Sequence, residues 1–217
     1  MPEPTGRTTA VGLPPQLARR PIAVVRPADA ADVYAHPRPE FHRLVRRGLL
    51  HRLTNGYYAI VPRDRVGDDD WRPSLEAAAV GIAAAAFGAD RAVLMGLSAA
   101  RLHGALPRAI GVAVVAAPRQ RDPVDLIDRD ARVLFVRRDP DALDAERLPT
   151  DLGPALVTGV EQTVLDLAHR PDLGGLRDEV VPAVRALLPR CDEARLGDLA
   201  GRQRRRAALR RASEWVA

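Results

Sequence analysis

The first clear helical period of apolar residues falls between residues 39 and 49 of the chain. One helix face is marked by Phe41, Leu44, Val45 and Leu49. Pro39 suits a first helical turn, and Gly48 can end the helix in a left-handed conformation. The pattern therefore predicts a helix over about Pro39–Arg47 whose apolar stripe faces a core.

Two short apolar runs follow this helix and flank Thr54-Asn55-Gly56. They are Leu50–Leu53 and Tyr57–Val61. Asn-Gly between such runs is a strong hairpin signal, because both residues tolerate positive φ. Ile22–Val25 is an upstream β-like run that can pair with the hairpin as a third strand. A helix that runs into a tight hairpin is typical of the end of a winged helix.

The residues upstream extend this interpretation. Leu13–Arg20 predicts a short first helix, and Pro27 opens a second helix over Ala28–Ala35. His36-Pro37-Arg38 then forms a tight turn into the basic helix. Helix, three-residue turn and basic helix is the helix-turn-helix pattern, whose second helix is offered to the major groove of DNA.

The exposed arc of the predicted basic helix carries His42, Arg43, Arg46 and Arg47, opposed only by Glu40 near its start. The planar guanidinium group matches phosphates and guanine edges, so this arc favours nucleic-acid binding. A solvated protein surface is the alternative interpretation. The chain contains no lysine, so arginine must supply the positive charge wherever a surface would ordinarily carry lysine or arginine.

Downstream, the pattern predicts helices and strands in alternation. Ser74 caps a helix through Ala86, and Leu97–Gly104 is a short helix with Ser98 as its N-cap. Extended segments are predicted at Ala92–Met95, Gly111–Ala117, Val124–Ile127, Ala131–Val136 and Ala155–Val157. Thr158 and Glu161 form a capping box for a helix over Gly159–His169. Three terminal helices are predicted at Leu176–Leu188, Asp192–Ala200 and Gln203–Trp215.

These elements predict an α+β protein of two domains. An N-terminal winged helix-turn-helix domain precedes a mixed α/β C-terminal domain with a small, mostly antiparallel sheet and terminal helices. The predicted organisation is a disordered N-terminus at 1–12, the DNA-binding domain at 13–62, a polar linker at 63–72 and the second domain at 73–217.

Charge divides the chain in the same way. Residues 14–65 hold ten arginines against four acids, residues 71–200 hold sixteen against nineteen, and residues 201–217 hold six against one. The two ends are basic and the middle is acidic. These basic ends, with a net charge of +5 for the whole chain, suit a polyanionic partner. Cys191 is the only cysteine, which excludes disulfides and cysteine-based zinc sites. The sequence has neither a signal-peptide pattern nor a long apolar run, so we expect a cytoplasmic protein.

Candidate chemistry outside the basic helix is weak. Ser98 and His103 point about 140° apart on a helix, which does not suit a nucleophile and its base. Asp68–Asp70 fits a solvated linker, and the aspartates at 125, 128 and 130 fit hairpin solvation better than a nuclease centre. We therefore expect no catalytic residue, metal site or cofactor. The C-terminal arginines fit either phosphate contacts or a solvated terminus: Arg204, Arg205, Arg206, Arg210 and Arg211.

Several segments together resemble a known family. The winged helix ends in LLHRLTNGYYAIVPRD, and it is followed by GLSAARLHGAL, a β-rich stretch and PALVTGVEQTVLDLA. This order resembles the AbiEi antitoxins of type IV toxin-antitoxin systems, especially the actinobacterial form, over about residues 13–190. Gly159-Val160 replaces the Ser-Pro that the family favours after Thr158.

The resemblance implies a repressor of its own operon that binds inverted repeats in the promoter. It also implies a neighbouring gene for a nucleotidyltransferase-like toxin, which the C-terminal domain counteracts, with a stable contact left open. We expect a monomer in solution and two copies on DNA. The residues that occupy the family's recognition-helix segment are Arg38, His42, Arg43, Arg46 and Arg47. Its wing segment holds Arg52 and Asn55, which we assign to backbone contacts beside the minor groove.

Two other functions stay open. A direct protein inhibitor would clamp a toxin with its middle domain and bind DNA only secondarily. A nuclease is the second alternative, but its centre commonly pairs a lysine with carboxylates, and this chain has no lysine. A phosphate loop ending in Gly-Lys-Ser/Thr is also absent from the sequence.

Overall fold

The computed structural model describes residues 12–216 of the chain. The prediction of a disordered N-terminus concerns residues that, apart from Gly12, lie outside this range. Within it the protein is an α+β structure of eight α-helices and two β-sheets. None of the helices formed by residues 12–216 combines the length and apolar character that crossing a bilayer requires.

The elements alternate along the chain as follows. The helices are α1 (Pro15–Ala18), α2 (Pro37–Arg46), α3 (Leu75–Phe87), α4 (Leu97–Leu102), α5 (Val160–His169), α6 (Arg177–Leu187), α7 (Glu193–Arg202) and α8 (Arg206–Glu214). The strands are β1 (Val24–Val25), β2 (Leu50–Thr54), β3 (Tyr57–Ile60), β4 (Val93–Leu94), β5 (Val112–Ala117), β6 (Val124–Asp125), β7 (Arg132–Arg137), β8 (Ala145–Leu148) and β9 (Ala155–Thr158).

The first sheet has the order β1-β3-β2, and both of its pairings are antiparallel. This confirms the predicted hairpin and its third strand. Gly56 takes a φ of 81° in the turn, and the β2–β3 register shifts between Arg52 and Thr54. Asn55 does not share the positive φ, so the turn depends on the glycine.

Both faces of this small sheet are buried, which explains the unbroken apolar run in β3. One face, with Val25, Tyr58 and Ile60, packs on α1 and α2. The other face includes Leu53 and Ala59 and joins a larger cluster with α3 and the second sheet. Because side chains alternate along a strand, two buried faces leave few positions for polar residues.

The second sheet has six strands in the order β6-β7-β5-β4-β9-β8. Its β7–β5 and β4–β9 pairings are parallel, and the other three pairings are antiparallel. The sheet is therefore mixed and larger than the small sheet expected. β8 was not predicted, because its residues are half-buried or exposed and show no apolar period.

The C-terminal helices form a layer of their own. α4, α5, α6 and α8 share one hydrophobic cluster, which includes Leu97, Val164 and Val184. Leu165 of α5 packs with Leu196 and Leu199 of α7 in a second cluster. The three predicted terminal helices are confirmed, with α8 beginning later than expected at Arg206.

The predicted helix over Ala28–Ala35 is wrong. The chain there forms a 3₁₀ helix, Pro27–Ala30, in which Asp29 Oδ2 accepts a hydrogen bond from Arg26 N. The amides of Val33 and Tyr34 then both donate to Ala30 O. Proline disfavours a helical conformation in the residue before it, so His36-Pro37 ends the segment. The first predicted helix is also shorter, and α1 covers only Pro15–Ala18.

Two predicted helix caps are also wrong. α4 follows Gly96, and the Ser98 hydroxyl instead accepts a hydrogen bond from Val114 N of β5. α5 follows Gly159, and Thr158 pairs with the Thr163 hydroxyl. Ser98 thus binds a strand distant in sequence, whereas Thr158 binds a side chain of α5 and not a backbone amide of its first turn. In contrast, Ser74 caps α3 as predicted, by accepting from Ala77 N.

Candidate nucleic-acid interface

The orientation of α2 is fixed by its apolar face. Phe41 and Leu44 are 0% and 1% exposed, respectively. The Phe41 ring meets the edge of Tyr58 on β3 with 5.1 Å between ring centroids and 76° between planes. Leu49 N donates to Leu44 O, which joins the end of the helix to the hairpin. Fixing this face turns the remaining arc of the helix outward.

That outward arc brings together the basic residues expected from the sequence. Arg38, His42, Arg43, Arg46 and Arg47 are all exposed. Arg43 Nη2 lies 3.2 Å from Glu40 Oε2 and is 58% exposed. Among the described residues, Arg38, Arg46 and Arg47 form no ion pair within 4.0 Å. The helix and its C-terminal residue thus present three guanidinium groups that have no acidic partner within residues 12–216.

The two predicted wing residues lie at the tip of the hairpin. Arg52 and Asn55 are exposed, and Arg52 Nη2 donates to Asn55 Oδ1 across the turn. His51 and Leu53, on either side of Arg52 in β2, point to the opposite face. The guanidinium of Arg52 is therefore held beside the turn and on the solvent side.

The side of β2 away from β3 contacts the loop between β6 and β7. Leu53 O accepts a hydrogen bond from Ile127 N at 2.9 Å, and the Thr54 hydroxyl donates to Asp125 O at 2.9 Å. His51 Nε2 lies 2.8 Å from Asp128 Oδ2. We call these contacts the wing junction. The sequence did not predict it, because its partners are more than 70 residues apart and each segment has an ordinary local role.

Asp128 is the charged centre of the wing junction. Its side chain is only 7% exposed, and Arg129 donates to both carboxylate oxygens at 2.8 and 3.1 Å. Burial alone would raise the pKa of Asp128, but the hydrogen bonds from His51 and Arg129 outweigh it and lower the pKa to about 2. The carboxylate is therefore ionised at neutral pH.

The C-terminal arginines divide into two groups. Arg205 contacts the buried carboxylate of Asp166, which Arg138 also approaches at 3.2 Å, and Arg211 donates to Ala168 O. These contacts hold α8 against α5. Arg211 is nevertheless exposed, as are Arg204, Arg206 and Arg210. His169 lies nearby, where burial and then the charge of Arg205 lower its pKa below the usual value.

The other candidates from the sequence are occupied in structural contacts. His103 Nε2 lies 2.7 Å from Thr158 O, and Ser98 is bound to β5. Asp125 forms an ion pair with Arg132 at 2.5 Å. Within residues 12–216 no three His, Cys, Asp or Glu side chains converge as metal ligands would.

Comparison with solved structures supports the fold. The chain is similar to the "Crystal structure of RV2827C protein from Mycobacterium tuberculosis", with a TM-score of 0.52 and 22% sequence identity. The match covers 89% of this chain and 71% of that chain. At this identity the likeness concerns the fold alone. Among curated proteins, none matches the sequence significantly.

The family model described as "AbiEi antitoxin C-terminal domain" matches residues 91–215. These residues run from just before β4 to just after α8, so the match includes all six strands of the larger sheet and helices α4 to α8. It also includes the segments Ser98–Gly104 and Thr158–Ala168, on which the sequence resemblance rested. Because the match spans more than half of the chain, the protein belongs to the AbiEi antitoxin family.

Proposed function

We propose that this protein is a DNA-binding transcriptional repressor that regulates its own toxin-antitoxin operon. The basic face of α2 supports this most directly, because several arginines are exposed on a helix whose opposite face is fixed in a core. The antiparallel sheet of β1, β3 and β2 beside α2 supports the proposal, because a winged helix places such a sheet next to its recognition helix. The 3₁₀ helix at Pro27–Ala30 takes the place of the first helix of the motif.

In this proposal α2 enters the major groove, where Arg43, Arg46 and Arg47 contact base edges or phosphates. Arg38 and His42 extend the same surface. Arg52 and Asn55 contact the backbone beside the minor groove. A single winged helix makes few contacts, so two copies of a monomeric protein bind an inverted repeat with strong salt dependence. The exposed Arg204, Arg206 and Arg210 supply further phosphate contacts.

Replacing two arginines of α2 tests this assignment. Arg43→Ala with Arg46→Ala should weaken binding to a duplex from the protein's own promoter by about 2 to 6 kcal/mol, since each base contact contributes about 1 to 3 kcal/mol. Fluorescence anisotropy at physiological salt measures the affinity, and circular dichroism checks the fold.

The matched control removes two arginines from the other half of the molecule. Arg91 and Arg147 form exposed ion pairs with Asp141 and Asp90, respectively. Arg91→Ala with Arg147→Ala changes the charge equally and should leave promoter affinity within about 1 kcal/mol of wild type. Wild-type affinity in the Arg43/Arg46 variant would contradict the proposed role of α2.

Membership of the antitoxin family implies a toxin partner. We infer that residues 91–215 counteract a nucleotidyltransferase-like toxin in the cytoplasm, and that the gene for this toxin lies next to the gene for this protein. They do so without catalysis or a cofactor.

Co-expression of this protein with the toxin should restore the growth of cells that produce the toxin. The Arg43/Arg46 variant should restore growth equally when both genes have constitutive promoters. A stable complex on size exclusion would instead favour direct inhibition, and failure to restore growth would contradict the antitoxin role.

A further inference from the structure

The wing junction joins the hairpin to the family-matched half of the molecule at three residues of β2. His51, Leu53 and Thr54 each contact the segment 125–128, two of them through backbone atoms of that segment. An edge strand with unpaired backbone groups otherwise moves freely or pairs with another chain. The loop between β6 and β7 therefore covers this edge of the hairpin and restricts its motion.

A second contact fixes the other strand of the hairpin. The guanidinium of Arg121 lies between the rings of Tyr57 and Phe135, with 5.0 and 5.3 Å from its central carbon to the two centroids. Its Nη1 also donates to the Tyr57 hydroxyl at 2.7 Å. Tyr57 is the residue after Gly56, so this contact lies directly beside the turn. Arg121 is half-buried, and a cation–π contact strengthens as its groups are removed from water.

The side chain of His51 is itself enclosed. The ring of Trp71, from the segment between the two halves, lies edge-on to it with 5.9 Å between centroids. Arg72 Nη1 donates to Asp128 O at 3.3 Å, so the same segment also holds the loop. The charged groups around His51 and Asp128 are thus Arg129 on the loop and Arg72 on the connecting segment.

The alternation of side chains along β2 links the junction to the DNA-facing surface. The side chain of His51 meets Asp128 and that of Leu53 lies in the core beside Ala59, so Arg52 between them points to the opposite face and is exposed. Rotating or sliding β2 would turn Arg52 and displace Asn55 with it. The direction of the wing residues is therefore set by groups that belong to the other half of the chain.

We propose that Asp128 is a positioning residue for operator recognition, which holds the wing through His51 so that Arg52 meets the DNA backbone. This inference rests on the proposed function of α2 and the hairpin. It predicts that an acidic side chain can increase DNA affinity without touching DNA. An aspartate near a polyanion ordinarily weakens binding, so simple electrostatics predicts that replacing Asp128 increases DNA affinity. The proposal predicts that replacing it decreases DNA affinity.

The test compares Asp128→Ala with Asp130→Ala by anisotropy on a duplex from the protein's own promoter and on an unrelated duplex of equal length. Asp130 is an exposed acid of the same loop, so its replacement makes the same charge change. Asp128→Ala should lower promoter affinity about tenfold, the loss expected when one wing contact is misplaced. Asp130→Ala should leave it unchanged or raise it. Asp128→Asn, which keeps the side-chain volume, repeats the test should the alanine variant fail to fold.

A double-mutant cycle with Arg52→Ala separates positioning from other effects. If Asp128 acts through the wing, Asp128→Ala should cost no further affinity once Arg52 is alanine. An equal loss in both backgrounds, or no loss in the wild-type background, would overturn the proposal. Absence of promoter binding by the wild-type protein would overturn the proposed function as well, whereas wild-type binding with an inert Asp128 overturns this inference alone.

Discussion

Buried acidic side chains are each held by arginine in the described part of the molecule. Glu76 lies 2.7 Å from Arg101, and Asp166 contacts both Arg138 and Arg205. A carboxyl group is costly to bury without such partners, so removing Arg101 would leave Glu76 without its ion-pair partner. In a chain without lysine, arginine thus serves both these internal contacts and the exposed face of α2. Sequence alone cannot separate the two roles, as Arg205 and Arg206 show.

The depressed pKa of Asp128 predicts a defined pH dependence of stability. A folded-state pKa of about 2 lies below the ordinary aspartate value, so the carboxylate stabilises the fold above about pH 4, and this contribution is lost as pH falls towards 2. Asp128→Asn should therefore lower the free energy of unfolding by about 2 kcal/mol at pH 6. The difference from wild type should shrink between pH 4 and pH 2.

Urea unfolding at a series of pH values measures this dependence. Asp130→Asn, an exposed site on the same loop, should leave the free energy of unfolding nearly unchanged at every pH. A deficit of Asp128→Asn that stays constant down to pH 2 would show that the carboxylate charge does not stabilise the wing junction.

At the scale of elements, α3 shows how one position adapts a helix to its neighbours. Gly81 lies in the middle of α3, and a Cβ built there would overlap Cγ2 of Val24 on β1. Glycine lowers helix propensity by about 1 kcal/mol, so only a close approach explains it in this position. The small sheet can pack on α3 because this residue has no side chain.

Two glycine substitutions should consequently have opposite effects. Gly81→Ala should destabilise the protein by about 1 to 3 kcal/mol, because the stiff Val24 side chain cannot move aside without cost. Gly197→Ala, in α7 with open space around it, should stabilise it by about 0.5 to 1 kcal/mol. Thermal unfolding measures both, and stabilisation by Gly81→Ala would contradict the packing of β1 on α3.

Most element types followed from local pattern, but their caps and neighbours did not. The apolar run of β5, the alternating burial of β7 and the apolar stripe of α2 all lie within a few residues, so the sequence predicts them. Ser98 also matches a local cap pattern, yet in the folded chain its hydroxyl accepts a hydrogen bond from Val114 N of β5. Such a hydroxyl can bind either its own helix or a distant strand, and only the folded structure shows which of the two partners lies within hydrogen-bond distance.

For the whole molecule, one hydrophobic cluster crosses from the first half of the chain to the second. It includes Leu53 and Ala59 of the small sheet, the alanines of α3, and Val115 and Phe135 of the larger sheet. Trp71, in the polar segment expected as a linker, packs against the same cluster. Apolar surface shared in this way couples the stability of the two halves.

This shared cluster predicts a single cooperative unfolding transition. Trp71→Phe leaves only Trp215, at the C-terminal helices, and Trp215→Phe leaves only Trp71, in the connecting segment. Urea titrations followed by the two fluorescence signals and by far-UV circular dichroism should give the same midpoint and slope. Separate midpoints for Trp71 and Trp215 would show that the halves unfold independently.

The sequence by itself determined the basic helix, the Asn-Gly hairpin, the extended segments that form β5 and β7, and the terminal helices. Each depends on the order of apolar and polar residues within about ten positions. It also gave the family, later matched over residues 91–215. Only the tertiary structure decided that β2 meets the loop around Asp128 and that Arg205 binds the buried carboxylate of Asp166. Those features depend on contacts between distant segments, whose distances appear only when the chain has packed.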